Sequence, residues 1–122
     1  MKIKTLTESE KVTMKCVWDL GDGTRLAHIL ALANEKYGKE WKSQTVSTFL
    51  GKLVAKGYIE QYRDGRYYCY RILISKRTYR CQELARDLAF WDDGDINLLA
   101  EELLDEETFT AEERDTLKKA MR

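Results

Sequence analysis

Through the first half of the chain apolar residues recur every three or four positions, the spacing that lines one side of an α-helix. Val12, Cys16 and Leu20 form the first such stripe, with Met14, Val17 and Trp18 beside it. Thr7-Glu8-Ser9-Glu10 stands before it in the form of a capping box: the Thr7 hydroxyl can accept from the third helical N–H while Glu10 reaches back to the Thr7 N–H. Gly21-Asp22-Gly23 ends it as a turn. Thr24 is then expected to cap a second helix carrying Leu26, Ile29, Leu30 and Ala33 and stopping before Gly38. The third stripe is the most regular, with Val46, Phe49, Leu50, Leu53 and Val54 in helical register, Ser43 as the expected cap and Gly57 as a left-handed stop. Opposite that stripe fall Gln44, Thr45, Thr48, Gly51 and Lys52, a face that is polar or small and carries no acid.

Beyond Gly57 the pattern becomes extended. Residues 58–63 and 66–72 are rich in Tyr, Ile and Arg and flank Asp64-Gly65, a pair that favours a tight hairpin in which both central residues take positive φ. Three helices followed by a hairpin are the parts of a winged helix-turn-helix. From Ser75 the helical spacing returns, with Tyr79, Leu84, Leu88, Phe90 and Trp91 apolar, and it breaks at Asp92-Asp93-Gly94. Residues 95–106 then carry Ile96, Leu98, Leu99, Leu103 and Leu104, and residues 110–122 open on a second capping box, Thr110 with Glu113, and carry Leu117 and Met121. The expected fold class is mainly α with a small β-hairpin: a winged helix over residues 1–74, then a helical region over residues 75–122. Short helices bury too little surface to stand alone. The second region is therefore expected to pair with another copy of itself, through Leu88, Phe90, Trp91, Ile96, Leu99, Leu103 and Leu117.

Charge changes the picture only when it is placed along the chain. With 21 basic and 21 acidic side chains the formal net charge is zero, which by itself argues against a polyanionic partner. Yet residues 1–89 hold 17 Lys and Arg against 10 Asp and Glu, while residues 90–122 hold 4 against 11. A basic module steers toward phosphates and an acidic one away from them. No apolar run approaches the ~20 residues of a bilayer-spanning helix, and the first ten residues are polar, so a cytoplasmic protein with no membrane partner is expected. Cys16, Cys69 and Cys81 form no Cys-x-x-Cys pair and are expected to be reduced, buried and inert.

The inventory for catalysis is poor. The one histidine, His28, lies beside the apolar stripe of the second helix, where a plain surface position or packing at the protein boundary is its expected role. No nucleophile–base pair, Gly-rich phosphate loop or Cys/His cluster is legible, so neither an enzyme nor a metal or other cofactor is expected. A helix entering the major groove needs short hydrogen-bonding side chains on its outer face, and Gln44, Thr45 and Thr48 provide them: Gln can pair with adenine and a Thr methyl can pack on thymine. Lys42 and Ser43 at the start of that helix, Lys52 further along it, and Arg63 and Arg66 around the hairpin turn would serve phosphates or the minor groove. The same residues would also suit an ordinary solvated face, or a winged-helix module that contacts another protein.

Several segments, in order and spacing, resemble the penicillinase-repressor family of bacterial regulators, the BlaI/MecI type. They are residues 6–10 (LTESE), 14–18 (MKCVW), 45–54 (TVSTFLGKLV), Lys56-Gly57 and residues 65–70 (GRYYCY). The resemblance implies a winged-helix DNA-binding domain, a helical dimerisation domain and repression through an inverted-repeat operator, with residues 43–56 as the recognition helix. On it Gln44, Thr45 and Thr48 fall at base-reading positions, Gln44 where some relatives have lysine. Three departures are visible: Lys11 replaces a tryptophan common in the family, Glu102-Leu103 stands where some members carry a cleavable Asn-Phe bond, and no cysteine cluster follows Cys81. The resemblance therefore implies neither proteolytic induction nor metal sensing for this chain.

Overall fold

The computed structural model describes residues 2–122. In chain order the elements are α1 (Glu8–Leu20), α2 (Leu26–Lys36), α3 (Ser43–Ala55), β1 (Ile59–Asp64), β2 (Tyr67–Ile72), α4 (Lys76–Trp91), α5 (Ile96–Leu103) and α6 (Ala111–Ala120). The chain divides into two compact units, one ending at Arg80 and the other running from Cys81 to Arg122, so the division falls inside α4.

Residues three positions apart settle where α1 begins: the Glu10 N–H donates to Thr7 Oγ1 at 3.2 Å and the Thr7 N–H to Glu10 Oε1 at 2.9 Å. The stripe that follows is buried through Met14, Cys16 and Val17, against Ile29 and Ala33 of α2 and Val46, Leu50 and Leu53 of α3. Each large aliphatic side chain removed from water in this way contributes about 2 kcal/mol. Ile3 and Leu6, before α1, and Tyr58, Ile59 and Tyr70, from the hairpin region, close the same core. Tyr79 in the first turn of α4 also belongs to it, its ring 5.5 Å from Trp18 and 6.0 Å from Tyr58, while Trp18 Nε1 donates to the Ile74 carbonyl at 3.0 Å. These contacts draw the start of α4 into the first unit, whose edge therefore lies beyond residue 74.

Two polar clusters fasten the helices. Glu10, only 2% exposed, accepts from Lys56 Nζ at 2.5 Å, joining the start of α1 to the end of α3. Burial alone would raise the Glu10 carboxyl, but the Lys56 ammonium and the Thr7 N–H outweigh it and hold the group below its usual value. At the end of α1, Asp19 accepts from Lys15 Nζ at 2.7 Å, Lys36 Nζ at 3.1 Å and the Tyr37 hydroxyl at 2.6 Å. Against the opposing effect of burial, those bonds lower its carboxyl to about 2.

Four expectations are corrected by the structure. Thr24 does not cap α2: the Tyr70 N–H donates to the Thr24 carbonyl at 3.0 Å and the Gly23 N–H to the Tyr70 carbonyl at 2.9 Å. Thr24 is thus the stub of a third strand, its hydroxyl buried without a partner among the described residues, and Arg25 takes the cap position instead. Ser43 is the first residue of α3 and not its cap; Lys42 has the extended cap backbone, with φ −106° and ψ 163°. In the hairpin Asp64 pairs with Tyr67, which leaves Gly65 and Arg66 as the central residues. Only Gly65 has positive φ, at +63°, which is the type II′ pattern in place of a turn with two left-handed residues. Finally, Cys16 and Cys69 are buried but Cys81 is exposed.

The second unit is built differently. Asp95 caps α5 by accepting from the Asn97 N–H at 2.9 Å, and Thr110 and Glu113 complete a capping box before α6. Neither α5 nor α6 contains a fully buried residue.

Candidate nucleic-acid interface

The polar side of α3 faces outward. Lys42, Ser43, Gln44, Ser47, Thr48, Gly51 and Lys52 are exposed and Thr45 is half-buried, while the opposite side of the same helix is committed to the core. The Thr48 hydroxyl donates to the Gln44 carbonyl at 3.0 Å, so its hydrogen is satisfied within the helix and its methyl and lone pairs are what it offers a partner. The helix is held at both ends. The Asn34 side-chain amide brackets the turn into it, accepting from the Trp41 N–H at 3.0 Å and donating to the Trp41 carbonyl at 3.2 Å, and the Trp41 ring lies 5.0 Å from Phe49. At the far end Lys56 is fixed by Glu10 and by the Thr5 carbonyl at 2.9 Å, and the Tyr58 hydroxyl donates to the Lys4 carbonyl.

The hairpin is tied to the start of α2. Besides the Thr24–Tyr70 bridge, the Ile72 N–H donates to Asp22 Oδ1 at 2.7 Å. The Arg25 guanidinium stands 4.3 Å from the centre of the Tyr67 ring, a cation–π stack that spans the two elements. Between them opens a cleft of about 690 Å³, lined by Arg25, His28 and Ser47 from the helices and by Arg66, Tyr67 and Tyr68 from the hairpin, among others. Among the described residues no carboxylate lines it.

The residues expected from sequence to contact DNA divide into two groups. Ser43, Gln44, Thr45, Thr48 and Lys52 share α3 with Lys42 at its cap, and Arg66 lines the cleft that Ser47 of that helix also lines. Arg63 stays on β1, its guanidinium 5.1 Å from the Tyr68 ring, and does not line the cleft. Sequence reasoning missed Arg25, Tyr67 and the cleft that they share with His28. His28 takes the surface alternative of its expected role and is exposed on the cleft wall. The missed signal for Arg25 was that no capping side chain occupies its position, so the helix opens on a cation.

Burial raises the Cys16 thiol to about 11, which keeps it protonated and unreactive. Among the described residues no group of His, Cys, Asp and Glu could hold a metal ion, and no helix is long and apolar enough to cross a membrane. The structural division sharpens the charge asymmetry: residues 1–80 hold 16 Lys and Arg against 8 Asp and Glu, and residues 81–122 hold 5 against 13.

Of the residues expected to pair two copies, Phe90, Trp91 and Ile96 are 73%, 72% and 60% exposed, Leu103 is exposed, and Leu88, Leu99 and Leu117 are half-buried. Phe90 and Trp91 meet edge to face at 4.7 Å between ring centres.

Helices α1 to α3 followed by a two-stranded antiparallel wing define a winged-helix protein. The profile of the penicillinase repressor family matches residues 6–122, and the chain belongs to that family, whose members are DNA-binding transcriptional repressors and not enzymes. Its fold is shared with the solution structure of the DNA-binding domain of the repressor BlaI, at 23% identity and a TM-score of 0.54, over 64% of this chain and 92% of that one. A second solution structure, of Bacillus licheniformis BlaI in monomeric form with the blaP half-operator, gives 24% identity and a TM-score of 0.52 over 64% of this chain and 92% of that one. Among curated proteins, an uncharacterised 16.5 kDa protein of Latilactobacillus sakei is 32% identical over 65 residues, a match that spans 53% of this chain and less than half, 42%, of that protein.

Proposed function

We propose that the chain is a homodimeric repressor that binds an inverted-repeat operator through α3 and the wing. The observation that carries this reading is the outer face of α3: it is exposed, free of acid, and fixed at both ends to a packed core. A rigid helix of short polar side chains meets the steric and hydrogen-bonding demands of the major groove. Gln44, Thr45 and Thr48 read base edges, and Lys42, Ser43, Lys52, Arg63 and Arg66 contact the sugar-phosphate backbone. The structure of B. licheniformis BlaI with its half-operator supports a DNA partner for this relative.

The second unit supplies the pairing. Apolar side chains as exposed as Phe90, Trp91 and Ile96 need cover, and a two-fold partner gives each copy the same cover. The pairing residues are Leu88, Phe90, Trp91, Ile96, Leu99, Leu103 and Leu117. Two recognition helices then lie in successive major grooves about one helical turn apart. Such a repressor works in the cytoplasm, where the operator is.

The test is a gel-shift titration of the Thr45→Ala/Thr48→Ala double variant against operator fragments selected from the genome and against random duplex. The expected result is equal affinity for the two, with binding to random duplex retained. Undiminished preference for the operator would show that another element reads the bases.

A further inference from the structure

The cleft between α2 and the wing is a cationic concavity with no internal counter-charge. Arg25 stacks on Tyr67, and no ion pair engages Arg25, Arg66 or the His28 side chain among the described residues. Ser47 and Gln61 add hydrogen-bonding groups, and Leu26 and Ala27 at the start of α2, which has no side-chain cap, also line the cleft. A helix of 11 residues adds its partial positive charge there. Positive charge gathered in a concavity without a carboxylate suits an oxyanion. The aromatic wall matters as much as the charge: a guanidinium lying 4.3 Å over a ring has already lost much of its rotational freedom, so its donors are aimed before anything binds.

We propose that this cleft receives a phosphodiester of the bound duplex, and that Arg25, positioned by Tyr67, is the residue that grips it irrespective of base sequence. The inference rests on the operator reading above and extends it: specificity resides on the outer face of α3, and a separate clasp beside it supplies affinity for any duplex. Ser47 belongs to α3 and also lines the cleft, so a strand lying in one is adjacent to the other. The ligand chemistry is that of a phosphate oxyanion, and the source is the nucleic-acid backbone, because the groups are spread along an open wall and not gathered around a single ion.

The experiment is a fluorescence-anisotropy titration of operator and random duplex over a range of salt concentrations, for the full chain and for Arg25→Ala, Arg25→Lys and Tyr67→Leu. One lost phosphate contact lowers the slope of log K against log salt by about 0.9 and weakens binding about eightfold at 0.1 M salt. Arg25→Ala is expected to show both effects equally on operator and random duplex. Arg25→Lys and Tyr67→Leu retain the charge, so the slope should hold while affinity falls by a smaller factor; these variants also guard against a folding defect in Arg25→Ala, which thermal unfolding would reveal. Inorganic phosphate at millimolar concentration should compete no better than its ionic strength explains, and selective displacement by it would mean a free-anion site instead. An unchanged slope in Arg25→Ala, or a loss confined to operator, overturns the clasp while leaving the operator reading intact. Failure of the unaltered chain to bind any duplex overturns both.

Discussion

The same capping motif opens a helix in each unit, Thr7 with Glu10 before α1 and Thr110 with Glu113 before α6, yet the two helices end in different surroundings. Helix α1 buries Glu10, Thr13, Met14, Cys16 and Val17, whereas α6 buries nothing completely. A cap decides where a helix starts, because its partners lie three residues apart on the chain; burial decides whether the helix can persist alone. The winged unit has a closed core and is expected to be stable as one copy. The second unit, with its aromatic and aliphatic side chains in water, is expected to draw its stability from association.

This contrast is tested hardest at the centre of the core. Leu50, 1% exposed, is expected to cost about 3 kcal/mol when replaced by Ala, read from the shift of the urea midpoint at constant m. Trp91→Ala should cost less than about 1 kcal/mol in dilute protein. At higher concentration the same change should weaken self-association at least about tenfold, measured by sedimentation equilibrium. Equal losses in the two variants, with self-association unaffected, would erase the difference between the units.

The next largest effect is one of acid. The Asp19 carboxyl has a folded value of about 2 against an ordinary 3.8, so its contribution is complete above the ordinary value and is lost as pH falls from about 4 to about 2. Asp19 is exposed, so solvent screening holds that contribution below the full worth of the shift, at between about 1 and 2 kcal/mol. Asp19→Asn should therefore lower stability at neutral pH and flatten the acid limb of a pH–stability curve recorded by circular dichroism. An acid limb that matches the unaltered chain would mean that the three donors around Asp19 do not stabilise its charge.

The smallest effect sharpens the comparison most directly. Thr7→Ala and Thr110→Ala remove equivalent caps, each worth about 1 kcal/mol. The first should shift the melting temperature by the same amount at every protein concentration, and the second should shift it more as the protein is diluted. Identical concentration dependence would sink the idea that the second unit is stabilised by pairing.

What could be read from sequence follows the same divide between near and far. The helices, both capping boxes, the stop at Gly57 and the hairpin all depend on residues a few positions apart, and the outer face of α3 follows from helical periodicity alone. The misplaced caps have a different cause. Thr24 looks like a cap locally, but its backbone is taken by Tyr70, 46 positions away, and the cap moves to Arg25. The Arg25–Tyr67 stack depends on that same bridge and left no local trace. The border of an apolar stripe places His28 at the surface or the protein boundary; the wing on its other side, which makes it part of a cleft, is formed by residues far along the chain. Cys81 lay in a helical pattern that suggested burial, in a helix whose one fully buried residue is Tyr79.

The hairpin turn fixes more than the shape of the wing. Two six-residue strands in unbroken register, from Ile59 opposite Ile72 to Asp64 opposite Tyr67, leave two residues to reverse the chain. Such a ribbon has no slack: at about 3.3 Å per residue its tip lies roughly 20 Å from its base, and a one-residue slip would turn every side chain to the other face. Lengthening the loop at Gly65 would lift Arg66 and Tyr67 away from Arg25 without altering a residue of α3. Loop length is thus a means of adjusting grip that is independent of the choice of bases.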